Sequence, residues 1–475
     1  MQQGFEDTFT GVAMAALEWG AEDYARGFID QQYRHYVRSD GTINYRANEL
    51  AQEARMLTIL ALCYSYGICN DEFLLRHYEK AKAVAEMLVA LRETALHYDK
   101  DDPRYGLIAG LDEGDTFTHV YSHQGETIHW YSHAAETYRA FTDLGEVWSA
   151  VGNSTGRGDV AGHGAELLAI APQLYHDLHT SMNKTANRTA SPGHTCYNHR
   201  ADGEASFYGC SFRAWPETFY SGALTVEQTD AVYTQGMGLT SCNSGRFLSL
   251  GVPSGGNGRM FVHIPQGFPY GLLVHDMVER FLLYFFTHSA HTNTRGTFTT
   301  PESSTLDRNG YDYAYASPGT ANVPMCLKWM LCFEEPQTRT LWLGKAVPRD
   351  WLVSGEAPLV AENVTTRYGR ISFSLRVSAG SSYSVQANVT LPSSFVSKPP
   401  AGGIRLRIRA PLAHAGRLSK VTVGGQAWSA FDAAEETIDI AASQLTPALI
   451  ATGLPEIVAS FGATTAAPFG SPRTN

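Results

Sequence analysis

Residues 366–378 read "TRYGRISFSLRVS", and from Ile371 to Val377 apolar and polar residues alternate strictly. A period of two places every second side chain on one face, which is the pattern of a half-buried strand. The rhythm returns, punctuated by turn residues, in "TRTLWLGKAV" (338–347), "SYSVQANVTL" (382–391), "GIRLRIRAPL" (403–412) and "LSKVTVGGQAW" (418–428). "SKPPAGG" (397–403) reads as a loop within this region, and the small, polar tail after "IVASFG" (457–462) as a frayed end. Residues 336–475 are therefore expected to form an antiparallel β-sandwich domain.

Upstream of that stretch the period is helical. "MAALEWGAEDYARGFIDQQYRHYV" (14–37) carries apolar residues three and four apart, and "SDGTINY" (39–45) breaks it with an Asp-Gly turn. "ANELAQEARMLTILALCYSY" (47–66) and "CNDEFLLRHYEKAKAVAEMLVALRETAL" (69–96) read as two further helices, the latter with Asn70 or Asp71 as its N-cap. "ETIHWYSHAAETYRAFTDLG" (126–145) reads as a helix stopped by Gly145, and "GHGAELLAIAPQLYHDLHTSMNKT" (162–185) as the next. Residues 190–212 are loop-like; "AWPETFYSGALTVEQTDAVYTQG" (214–236) and "YGLLVHDMVERFLLYFFTHSAH" (270–291) return to helix, and a polar loop at 292–320 precedes "VPMCLKWMLCFE" (323–334). Residues 1–335 are thus a mostly α domain of antiparallel hairpins. Strand and helix do not alternate, and "GVPSGGNG" (251–258) lacks the Lys-Ser/Thr of a phosphate loop, so a nucleotide-binding fold is disfavoured.

The bulk numbers narrow the partners. The chain has 475 residues, 44% hydrophobic, ample for two or three domains. Its net charge is −11 and no Lys/Arg run forms a phosphate-binding stripe, which argues against nucleic acid and anionic membrane surfaces. No apolar run approaches the roughly 20 residues of a bilayer span. The 24 Tyr and 8 Trp mostly fill core, and the excess suits flat, amphipathic ligands such as sugars. "MQQGFEDTFTG" (1–11) lacks the basic start and apolar centre of a signal peptide, and reads as the opening of a helical domain already under way, with the natural start expected further upstream. Seven cysteines without a CxxC predict buried thiols and one disulfide, and five Asn-x-Ser/Thr sequons favour a secretory route.

Helix hairpins separated by acid-bearing loops, then a β domain, resemble the six-hairpin (α/α)6-barrel glycosidase superfamily. Three stretches carry the resemblance: "YGLIAGLDEGD" (105–115) is similar to an early acidic loop of that group, "RGTFTTPES" (295–303) to a late loop bearing a second acid, and "GIRLRIRAPL" with "FDAAEETIDI" (431–440) to the attached β domain. Many members carry an N-terminal β-sandwich before the barrel, and this sequence has none there. The resemblance implies a toroid of helical hairpins, a carbohydrate substrate, no organic cofactor, and hydrolysis by two carboxyl groups with inversion.

Glycosidic bonds leave a poor alkoxide, so one carboxyl is held protonated to donate to it while the other activates water. The crowded acids Asp112, Glu113 and Asp115 raise one another's pKa, which suits a proton donor. The resemblance makes Asp112 or Asp115 the acid, with Glu113 in a binding role. Glu302, preceded by Pro301 and surrounded by Thr299, Thr300, Ser303 and Ser304, is the expected base, with Asp307 and Asp312 as weaker options. Glu217 is a third acid; Arg213, four residues earlier, pairs with it on a helix in the plainer reading, and Trp215 is placed to stack on a sugar. Asp276 interrupts an apolar helix and is expected to pair with Arg280 or His275.

"HVYSH" and "HWYSH" repeat ten residues apart, giving His119/His123 and His129/His133 at i,i+4. Two imidazoles at that spacing share a zinc when Glu follows the first, but Val120 and Trp130 stand there, so no metal is expected. His123, His129 and Trp130 fit hydrogen bonding and stacking with substrate better. A second reading is a polysaccharide lyase, with Tyr121, His123 and Tyr131 removing a proton beside a uronate carboxylate neutralised by Arg295 or Arg213. A third is a non-catalytic carbohydrate-binding protein.

Overall fold

The computed structural model describes residues 6–45, 48–111, 128–202, 211–242, 246–254, 259–261, 267–312, 315–378 and 382–462; for residues 6–8, 211–212 and 311–312 it describes the backbone alone. The chain divides into two compact units, Met1–Cys326 and Leu327–Asn475. No helix among the described residues is long and apolar enough to cross a membrane.

Left-handed glycines and side-chain caps cut the first unit into its helices. Helix α1 (Glu6–Glu18) ends before Gly20, whose φ of 65° opens the turn into α2 (Glu22–His35); the sequence pattern runs straight across this break. Next come α3 (Leu50–Ser65), the short α4 (Asp71–Arg76) and α5 (Tyr78–Ala95). The side chain of Asn70 caps α4 by accepting from the Phe73 amide at 2.9 Å.

Helix α6 (Tyr131–Thr155) corrects the reading of Gly145 as a stop. It runs ten residues further, to Gly156 in the left-handed conformation, and α7 (Gly158–Thr185) returns antiparallel. A Cβ on Gly145 would lie 2.9 Å from the Gly164 carbonyl oxygen, and one on Gly152 would lie 2.3 Å from the Ala161 nitrogen. These glycines are contact residues that let two helix backbones approach closely.

After α8 (Ser211–Ser221) and α9 (Val226–Gly236), the apolar run 270–291 forms two helices, α10 (Gly267–Val274) and α11 (Val278–His291). Asp276, with φ 58°, makes the bend between them, and Arg280 bonds Asp230 at 2.5 Å. Helix α12 (Ser317–Leu331) crosses the boundary between the units. Small antiparallel patches decorate the helices: β1 (Asn187–Ser191) with β2 (His194–Cys196), β3 (Leu248–Ser249) with β4 (Val252–Pro253), and β5 (Arg259–Phe261) with β6 (Ser303–Thr305) and β7 (Tyr311–Asp312). Two disulfides, Cys63–Cys69 and Cys196–Cys242, stand where one was expected, and Cys326 and Cys332 are buried thiols.

Burial sorts the helices into two kinds. Residues 50–63 of α3, 213–221 of α8 and all of α10 are buried all round, whereas α2, α5 and α11 bury one stripe. A helix buried on every side lies inside. The inner helices follow one another in contact, α1 on α3, α3 on α6, α6 on α8 and α8 on α10, with α2, α5, α7 and α11 backing them.

The second unit is a β-sandwich. One sheet has the order β10 (Leu359–Val364), β11 (Ile371–Val377), β12 (Ser384–Thr390), β18 (Leu454–Phe461), β14 (Leu418–Val423), β15 (Gln426–Trp428). The other runs β16 (Phe431–Asp432), β17 (Thr437–Ile440), β13 (Ile404–Arg407), β9 (Leu341–Leu343), β8 (Cys332–Glu334). Ile371, Phe373 and Leu375 point into the shared core with Val385, Ala387, Val389, Leu406 and Ile438, as the alternation requires. The pairing is not antiparallel throughout: β9 pairs β13 in parallel, Leu341 opposite Ile404. Strand β8 lies in the apolar run "CLKWMLCFE", where helix and strand look alike in sequence.

Candidate functional site: a buried carboxyl–guanidinium cluster

The inner helices bring charged side chains together away from bulk solvent. Glu49 precedes α3, while Gln52, Glu53 and Arg55 lie in its first two turns; α6 supplies Glu136, and α8 supplies Arg213 and Glu217. Glu53, Glu136, Arg213 and Glu217 are 0% exposed and Glu49 1%. The Arg213 guanidinium donates to Glu49 Oε2 at 2.6 Å and sits 3.4 Å from Glu217 Oε1. Gln52 Nε2 donates to the same Glu217 oxygen at 2.7 Å, and Gln52 in turn accepts from Thr10 on α1 at 2.7 Å. Arg55 makes a charge-assisted pair with Glu136, its Nε 3.2 Å from Oε1. The Tyr220 ring is flanked by Arg55 and Arg139, 4.3 and 4.2 Å from its centroid.

Charge counting decides what the cluster does. It holds four carboxyl groups, Glu49, Glu53, Glu136 and Glu217, against the guanidiniums of Arg55, Arg213 and Arg139, the last acting on Glu136 from beside the Tyr220 ring, so full ionisation would still leave uncompensated negative charge in the interior. Such charges take up protons instead. Glu53 has both carboxyl oxygens buried and unbonded among the described residues, and burial, with Glu49 beside it, raises its pKa well above the carboxylate range. Burial raises Glu217 to about 7 against the opposing pull of Arg213 and Arg55. The site thus holds carboxyl groups that keep their protons well above the ordinary carboxylate range.

A polar frame fixes the start of α6 beside the cluster. Tyr131 N donates to His199 O at 3.1 Å, Ala201 N to His129 O at 3.0 Å, and Gly110 N to Ile128 O at 3.0 Å. His129 precedes the helix, its Nδ1 3.1 Å from Asp202, so His129 and His133 do not share a helix face. His133 bonds Ile108 O through Nδ1 at 3.2 Å, and burial lowers it to about 3, which keeps the ring neutral. Trp130 stacks on His199 with centroids 5.3 Å apart, and Trp215 lies between His199 and Phe247. Among the described residues no three His, Cys, Asp or Glu side chains converge as a metal site would require.

Of the residues singled out in the sequence, Asp112, Glu113, Asp115, Tyr121 and His123 lie outside the described residues. Arg213, Trp215 and Glu217 fall within or beside the cluster, and His129 and Trp130 in the frame next to it. Glu302 is partly buried just before β6, and Arg295 is exposed in the preceding loop. The hydroxyls around Glu302 have other tasks: Thr300 donates to Ala316 O, Ser304 to His291 O, and Thr299 shares its hydroxyl with Thr294. Sequence reasoning missed Glu49, Gln52, Glu53, Arg55 and Glu136. The signal of the first four was present in "NELAQEAR" (48–55), where Glu49, Gln52 and Glu53 share one face and the helix then continues without a polar side for solvent. Two clefts, of about 650 Å³ (Arg26, Asp30, Phe73, Arg76) and about 510 Å³ (His194, Tyr197, Glu227, Asp230), include no member of the cluster.

No family profile and no curated protein matches the chain. Among solved structures, a glycoside hydrolase is similar at 12% identity and a TM-score of 0.32, covering 96% of this chain and 72% of the other. A GH127 β-arabinofuranosidase is similar at 11% identity and a TM-score of 0.30, covering 97% and 72%. Likeness at these values carries no argument about chemistry, which rests on the residues themselves.

Proposed function

We propose that the chain is a glycoside hydrolase whose inner helices close into an (α/α)6 toroid, with Glu217 as proton donor. The base that activates water is drawn from Asp112, Asp115 and Glu302. One observation carries this reading: a buried cluster with more carboxyls than guanidiniums, drawn from α3, α6 and α8. An acid kept protonated near neutrality by burial is what donation to a glycosidic oxygen needs. Gln52 and Arg213 orient the carboxyl, and Trp130 and Trp215 lie buried beside the cluster.

The lyase reading loses one of its two cations, because Arg213 is already committed to Glu49 and Glu217, and it then rests on the exposed Arg295. The test is incubation with a glycan panel, reading released reducing ends alongside the absorbance of unsaturated uronates. Reducing ends without absorbance are expected, with Glu217→Gln slower by about 10²–10⁴-fold. Absorbance instead supports elimination, and a Glu217→Gln rate equal to wild type overturns the assignment of the donor.

A further inference from the structure

Five sequons begin at Asn153, Asn183, Asn187, Asn363 and Asn388, and all five asparagines are exposed. Asn44, Asn70 and Asn309 share that exposure without a sequon, but Asn48, Asn198, Asn293 and Asn322 are partly or wholly buried. Solvent access therefore follows the sequon more closely than it follows the residue type.

The local structure at each position suits attachment of a bulky group. Asn153 lies in the last turn of α6 and Asn183 in the last turn of α7. Asn187 opens β1, and its Oδ1 accepts from the Thr189 amide at 2.9 Å and the Thr189 hydroxyl at 3.0 Å, so amide and hydroxyl of the sequon are already joined. On β12 the residues Val385, Ala387 and Val389 face the core while Asn388 and Thr390 face solvent. Asn363 sits on the edge strand β10, whose Val360 is also exposed. An independent observation points to the same compartment: Cys63–Cys69 and Cys196–Cys242 are disulfides, which persist where the surroundings are oxidising.

We infer that the chain carries N-linked oligosaccharide on these asparagines, acquired in an oxidising secretory compartment. In the transfer, the asparagine amide nitrogen bonds to C1 of an oligosaccharide held on a lipid pyrophosphate. The C1–O bond to the carrier breaks, the lipid pyrophosphate departs, and one amide proton is released. None of the five belongs to the buried cluster, so the inference stands apart from the hydrolase reading.

The experiment is peptide:N-glycosidase digestion, in heavy-oxygen water, of the protein isolated from its native source, followed by peptide mass spectrometry. Release converts each occupied Asn to a labelled Asp. Label is expected at one or more sequons in each of the two units, and Thr189→Ala and Thr390→Ala, made in the native host, are expected to remove it from Asn187 and Asn388 respectively. Five unlabelled, unmodified asparagines overturn the inference, whatever the state of the cysteines.

Discussion

Glu53 shows at the scale of one residue how burial assigns protons. With no bonding partner among the described residues and Glu49 beside it, it stays neutral, so Glu53→Gln is expected to shift stability at neutral pH by less than about 1 kcal/mol. Arg55→Met strands the charge of Glu136 and is expected to cost about 3–5 kcal/mol. Denaturant midpoints of the two variants check this contrast, and equal losses contradict it. For Glu217, a folded pKa of about 7 against an ordinary 4.5 means that the native state holds a proton the unfolded chain gives up. Stability from this group is complete below pH 4.5 and declines as pH rises to about 7, by about 3 kcal/mol in all. Glu217→Gln is expected to flatten that part of the urea-midpoint-against-pH curve. Hydrolysis by the wild type is expected to fall on the alkaline side of about pH 7 as the donor loses its proton. Arg213 and Glu217 were legible as a pair from their spacing alone. That the pair sits in the interior was not, because a helix of mixed sequence does not announce which of its faces meets water.

At the scale of elements, the α6–α7 hairpin is the most tightly specified part of the helical unit. Gly152→Val places a branched side chain where even a Cβ would lie 2.3 Å from the Ala161 nitrogen. The expected cost is at least about 1–3 kcal/mol, read as a lowered melting temperature, and an unchanged melt refutes the close approach. Helices with a clear apolar stripe were readable from the sequence, and so was the Asn70 cap. The boundaries were not. Gly145 looks like a stop but serves packing, whereas Gly20 and Asp276 make breaks that an apolar pattern passes over. Glycine has no side chain, so its two uses are identical in sequence and differ only in what lies across from it.

At the scale of the whole molecule, the switch from a period near 3.6 to a period of two marked the change from helices to sandwich, because strands such as β11 and β12 of the larger sheet bury one face. The core of the second unit is built from its own residues, from Cys332 to Phe461. Residues 327–462 expressed alone are expected to unfold cooperatively with a β-type circular dichroism spectrum, and a spectrum of disordered chain counts against this. The parallel β9–β13 pair was not legible, since alternation reports which face is buried and is silent on which neighbour a strand takes. Strand β18, the last among the described residues, inserts between β12 and β14 in the middle of the larger sheet. A ribosome making this protein therefore releases two half-sheets with raw margins before the piece that unites them exists. Assembly of the sandwich has to wait for synthesis to reach Phe461, and that interval is when the nascent chain most needs shelter from its neighbours.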